Sequence, residues 1–203
     1  ICTVFFHFKA SFLTFDLKDA VMAVGGMIFG PVYGGAMVII VSLAEMLSIS
    51  TTGLYGFIMN ILSSLTFVIV SSVIYRSRHT LSAAVIAMIS ATLATTAVML
   101  LANLIITPYY MGVTVSDVIA LIPTLLLPFN LIKSVFNSAL LFAIYKPISN
   151  ALKAAKIIES DDSSAVYPKS STKSVIITAI AVFVAVLTLV IFFVYLNGSF
   201  SLS

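Results

Sequence analysis

The segment from Val175 to Leu196 contains no charged residue, and four further apolar stretches of comparable length precede it in the chain. A helix needs about 20 apolar residues to cross roughly 30 Å of hydrocarbon, and only helices or closed barrels satisfy their backbone groups there. Repeated long apolar runs therefore predict an all-α integral membrane protein. Composition agrees: 61% of the 203 residues are hydrophobic and 8% are charged, too little polar surface to coat a water-soluble globule. The formal charge of +3 comes from short basic stretches that suit anionic lipid. With no basic patch interleaved with aromatics, no nucleic-acid partner is expected. Cys2 is the only cysteine, and His7 and His79 lie far apart, so neither a disulfide nor a metal site is expected.

Punctuation divides the chain further. The run Ile1 to Phe8 reads as the remnant of a membrane helix, not as a signal peptide, since no basic region and no small-residue cleavage site accompany it. A polar connection follows at 9–18. Gly30-Pro31 separates an apolar segment at about 19–29 from a helix at about 32–47. Helices are predicted at about 54–75, at about 81–106, where Thr107-Pro108 ends the element, and as one piece at about 118–155. The polar stretch 156–173 then tethers an additional transmembrane helix within 174–203. Residues 1–155 thus read as a six-helix membrane domain with a truncated first helix. Arg76 and Arg78 fall on the same side as Lys146, Lys153 and Lys156 under alternate crossing, which makes that side and the N-terminus cytoplasmic.

Lys133 is the most demanding residue. A charge at mid-bilayer costs about 2.5 to 3.5 kcal/mol on insertion scales, and Lys146 is 13 residues away, about 20 Å of helix. Asn130, Lys133 and Asn137 recur at i, i+3 and i+7 and share one helical face, which must look inward. Asn103, Asn60 and Glu45 fall at the opposite end of their helices from the basic loops, and together with Lys133 they outline a polar cavity open to the exterior. Against this stands a plain alternative: amides that only glue helices together, and a lysine held in a structural pair with Glu45. Ala83, Ala87 and Ala91 at four-residue spacing, and the glycines from Gly25 to Gly35, read as close helix packing. Neither a P-loop nor a dinucleotide fingerprint is present, so ATP-driven work requires another chain.

The stretches Leu-Thr-Phe-Asp-Leu-Lys-Asp (13–19), Phe-Gly-Pro-Val-Tyr-Gly (29–34), Thr-Gly-Leu-Tyr-Gly-Phe-Ile-Met-Asn (52–60) and Pro-Phe-Asn-Leu-Ile-Lys (128–133) resemble, in their order, the riboflavin-specific S component of energy-coupling factor transporters. The resemblance covers about 1–155. It implies a six-helix subunit of a prokaryotic cell membrane, without enzymatic activity. Such a subunit captures a vitamin at the outer face and works with a membrane coupling protein and two ATPase subunits. Riboflavin is then the transported ligand, and no cofactor is expected. On that resemblance Asn103, Asn130 and Lys133 are flavin-binding positions, and 13–19, with Thr14, Phe15 and Asp16, belongs to the loop capping the site. Asn60, Phe129 and Tyr110, with Phe12, complete the expected lining. An isoalloxazine is a flat ring with an imide edge of alternating donors and acceptors, which amides and an ammonium can match. The chain departs from the family pattern at Lys18 and Ala20-Val21, where a small polar residue and a proline are expected. An ion- or proton-coupled carrier, with Lys133 and Glu45 exchanging charge, is the rival reading. An intramembrane enzyme lacks a Ser/His, paired-carboxylate or His/Asp constellation at compatible depths.

Overall fold

The structure, a computed structural model, describes residues 7–10, 13–15, 17–48, 53–78, 80–157, 172–195 and 199–201. Among the described residues seven α-helices carry the fold: α1 Lys18–Phe29, α2 Pro31–Ser48, α3 Gly53–Arg78, α4 Leu81–Met111, α5 Val115–Leu121, α6 Leu127–Ala154 and α7 Thr172–Tyr195. Among the described residues five stretches are long and apolar enough to span a membrane: α2, α3, α4, the α5–α6 continuum and α7. At 12 residues α1 is about 18 Å long and falls short of the hydrocarbon thickness by itself.

Alternation of the chain defines two ends. Lys18, Ser48, Gly53 and Met111 mark one, called here the hairpin end; Phe29, Pro31, Arg76 and Arg78 mark the other, the arginine end. At the hairpin end three short strands form an antiparallel sheet in the order β2 (Leu13–Phe15), β1 (His7–Ala10), β3 (Ser199–Ser201). Phe8 pairs with Phe15 on one side and with Phe200 on the other. The helix expected over Ile1 to Phe8 is therefore not found at His7 and Phe8; residues 1–6 lie outside the described ones. Strand periodicity is short there, and a partner some 190 positions later satisfies the β1 backbone, which no local pattern shows.

Two further boundaries differ from the sequence expectation, both at prolines. Pro108 does not end α4, because its missing N–H costs one bond in the last turn, and the helix stops only at Gly112. That residue takes φ +66 and returns its N–H to the Pro108 carbonyl at 2.9 Å, a left-handed cap that suits glycine. The element expected as one helix over 118–155 is interrupted by a π-helical turn, Ile122–Leu126, with Pro123 at its start and Pro128 just beyond it. The Leu127 N–H reaches back to the Ile122 carbonyl, so one extra residue is accommodated there and the following face is rotated.

The bundle packs through small residues. Ala83, Ala87 and Ala91 are buried, as their spacing predicts, and α4 lies along α3 and α6. A cluster of Ala20, Ala23, Val24, Met27, Val38, Phe67, Val68 and Tyr75 joins α1, α2 and α3, and reaches α6 through Leu141 and Tyr145. The Tyr75 and Tyr145 rings meet edge-on with their hydroxyls 3.0 Å apart. Val118, Leu126, Phe129, Phe136, Ala185 and Phe192 form a second cluster between α5, α6 and α7. Val32, Leu47 and Val194 stand outside, each at least three-quarters exposed, as lipid-facing side chains do. The last helix is thus seated along α6, with Ala181, Ala185, Thr188 and Phe192 turned inward.

Candidate functional site: a buried charge network at the hairpin end

Four charged side chains meet near the hairpin end, on three helices. The Lys18 ammonium at the start of α1 bonds the Glu45 carboxylate of α2. Asn60 of α3 donates to the same Glu45 oxygen at 2.5 Å. The neighbouring Asp19 accepts from the Ser64 hydroxyl at 2.5 Å and faces the Lys133 ammonium of α6 at 3.7 Å. Lys18, Asp19 and Lys133 are all buried, Asp19 almost completely. Among the described residues the network holds two cations and two anions, and pairing of opposite charges is the condition under which such groups survive at membrane depth.

The structure therefore sets aside the Lys133–Glu45 pair offered above as the plain alternative. Glu45 takes Lys18 and Asn60, and Lys133 takes Asp19. Asn60 and Glu45 do come together, as their common depth predicts. Lys18 and Asp19 belong to the expected capping segment 13–19, but sequence reasoning gives neither a charge partner; a Lys-Asp pair opening an apolar helix is the signal that could have found them. As a first-turn residue Asp19 also sits where the positive end of the helix dipole favours a carboxylate.

The two pairs differ in character. Lys18 and Glu45 are in direct contact, whereas Lys133 and Asp19 form an ion pair at 3.7 Å, longer than a hydrogen bond. Glu45 Oε1 and Ser42 Oγ on α2, and Asn137 Oδ1 on α6, are buried with no hydrogen-bond partner. Substituting Asn60 by alanine removes one bond to a charged oxygen. A loss of about 1.5 to 3 kcal/mol is expected, visible as a melting temperature lowered by several degrees while Asn60→Asp at low pH recovers part of it.

The amides of α4 and α6 both lie toward the hairpin end of their helices. Thr92 and Ser138 hydroxyls are 3.2 Å apart and fix the register between the two antiparallel helices. From that point Asn103 is about 16 Å, Asn130 about 12 Å and Lys133 about 7.5 Å toward the hairpin end at 1.5 Å per residue. Asn103, fully buried, donates to the Met99 carbonyl at 2.7 Å and accepts from Thr107 at 2.8 Å. Asn130 donates to the Leu126 carbonyl, the last of the π-helical turn, at 2.7 Å. An amide has two N–H donors and an acceptor oxygen with two lone pairs, so that single bond uses one part of its capacity. The π-helical turn rotates the start of α6 and so decides where Asn130 points.

The remaining expected lining residues are distributed around this end. Tyr110, near the end of α4, lies against Tyr55 at the start of α3, ring centroids 6.0 Å apart. Phe129 is buried and packs on Phe192 of α7 at 6.3 Å. The backbones of Thr14 and Phe15 form β2, while Phe12 and Asp16 lie outside the described residues. Among the described residues no group of three His, Cys, Asp or Glu side chains is placed to hold a metal.

Comparison with known proteins places this arrangement. A comparison with curated proteins gives no match. The chain is similar to a solved structure described as "Structure and mechanism of the S component of a bacterial ECF transporter", at 26% identity and a TM-score of 0.61, over 72% of this chain and 86% of that one. The family described as "ECF transporter, substrate-specific component" matches residues 1–145, α1 to most of α6 with the hairpin before them. A match over well more than half of the chain, with a shared fold, means that this protein belongs to the substrate-specific components of ECF transporters.

Proposed function

We propose that the chain captures riboflavin, or a close flavin, at the hairpin end and delivers it across the membrane with a coupling subunit and two ATPase subunits. The hairpin end would face outward and the arginine end the cytoplasm of a prokaryote, the orientation that Arg76 and Arg78 favour. Family membership supports capture and delivery as the role, and the lack of a nucleotide-binding motif assigns the ATP work to partner chains. The observation that carries the flavin reading is Lys133. Its ammonium is buried and ion-paired with Asp19 at 3.7 Å, with Asn130 one turn away on the same helical face and Asn103 buried on the neighbouring α4. A flat heteroaromatic ring bearing carbonyls and ring nitrogens offers acceptors to the ammonium and mixed partners to the amides.

Extraction of the purified protein, followed by absorbance and mass analysis of what co-purifies, tests the ligand directly. A yellow preparation releasing riboflavin is expected. Asn130→Ala should weaken flavin binding about tenfold, the worth of a hydrogen bond or slightly more. A colourless parent that also fails to bind added flavin overturns the ligand, and an Asn130→Ala variant with unchanged affinity overturns that residue's role. Ion- or proton-coupled carriage is the second reading, motivated by the two buried ion pairs. Tight flavin binding without any ion or pH-gradient requirement excludes it.

A further inference from the structure

The last helix leaves the bundle in the direction of the hairpin end, and the strand that follows it, Ser199–Ser201, pairs with β1 in the register His7↔Ser201, Phe8↔Phe200, Lys9↔Ser199. β1 in turn holds β2, the strand two residues before the Lys18-Asp19 step that opens α1. The same helix seats fully buried Phe192 on Phe129, the residue beside Asn130. One segment therefore does two things: it adds an edge strand to the hairpin that leads into α1, and it packs against the start of α6 through Phe192.

We propose that α7 and β3 form an intramolecular clasp that positions the hairpin over the charge network and thereby sets how fast a ligand enters and leaves. The physical basis is strand addition. A two-stranded hairpin is marginal in isolation, whereas a third strand supplies backbone hydrogen bonds that must break before the hairpin lifts. Because β3 is tethered through a helix packed along α6, its effective concentration at β1 is high and the clasp recloses quickly after each opening. The proposal rests on the capture reading for its ligand, but its geometry can be tested without one.

Two full-length variants in lipid nanodiscs do this. In the first, Lys9→Cys and Ser199→Cys are introduced together with Cys2→Ser, which removes the only native thiol. Directly opposed antiparallel residues have Cα atoms about 4.5 to 5.5 Å apart, within the span of a disulfide. The expected result is an intramolecular disulfide in the ligand-free monomer, at least about tenfold slower riboflavin release, and recovery of the parent rate on reduction. In the second, Ser199→Pro and Phe200→Pro remove two successive N–H groups, one of which points at β1 whichever the phase of the ladder. Faster amide exchange at Phe8 to Ala10 and at least about tenfold faster release are expected. Failure of the cysteine pair to close within the monomer, or closure that leaves release unchanged, overturns the clasp. So does exchange at β1 that ignores the prolines. If the parent binds no flavin, the capture reading falls, and the clasp is judged by cross-linking and amide exchange alone.

Discussion

Lys133→Ala is expected to abolish co-purification of the flavin and to weaken binding of added flavin on the order of 100-fold or more. Truncating one partner of a buried charged interaction costs about 2 to 5 kcal/mol, and each 1.4 kcal/mol is a factor of ten. The same change removes the cation facing Asp19, which is almost fully buried. An uncompensated buried carboxylate costs about 3 to 5 kcal/mol, so the variant should also melt at a markedly lower temperature. A double variant separates these contributions. Asp19→Asn with Lys133→Met removes both members of the pair, and replacing a buried pair by neutral groups of similar volume is close to neutral for stability. It should regain most of the parent's thermal stability while remaining unable to hold the flavin. Parent-like flavin affinity in the double variant would reduce Lys133 to a structural partner of Asp19. Lys133→Arg is a stricter probe, since a planar fork cannot reproduce the single point charge of an ammonium in a confined site.

Gly34→Val should be the most damaging single change away from the site. A Cβ at Gly34 would lie 2.8 Å from the Gly26 Cα of α1 and 2.8 Å from Val68 Cγ1 of α3. One of these is backbone, which no rotamer change can move aside. Around the same point a Cβ at Gly26 would clash with the Ser72 hydroxyl. Three helices converge there, and α1 is held at that spacing by the absence of side chains. Overpacking usually costs about 1 to 3 kcal/mol. Here the value should reach or exceed the upper end, a fall of about 10 °C in melting temperature by the scaling for domains of this size. Because α1 carries Lys18 and Asp19, flavin affinity should fall together with stability. Gly35→Ala is the control, since its Cβ meets nothing closer than Leu65 Cδ2 at 3.6 Å. Equal melting temperatures for Gly34→Val and Gly35→Ala would refute this account of the crossing.

Residue-level reasoning reached far in some places and failed in others for identifiable causes. The long apolar runs, the break at Gly30-Pro31, the alanine-lined face of α4 and the inward face of Asn130, Lys133 and Asn137 all follow from local periodicity, and the structure has them. Prolines misled twice. Pro108 was expected to stop α4, but one lost bond in a final turn is tolerated when the true stop, Gly112, lies just beyond. Pro123 and Pro128 bracket a π-helical turn, where neighbouring carbonyl groups are reused instead of the helix ending.

The amino-acid sequence by itself determined the solvent of this protein, the apolar runs that become its long helices, and the need for a partner to Lys133, because hydrophobicity, helical period and the cost of a buried charge are local properties. Only the tertiary structure decided which carboxylate answers which ammonium, and that a strand near residue 200 closes the sheet begun at residue 7. Both are choices among distant groups of equal chemistry. Asp19 and Glu45 are interchangeable on a one-dimensional reading, and helix crossing at the Gly26–Gly34 contact places each beside a different lysine.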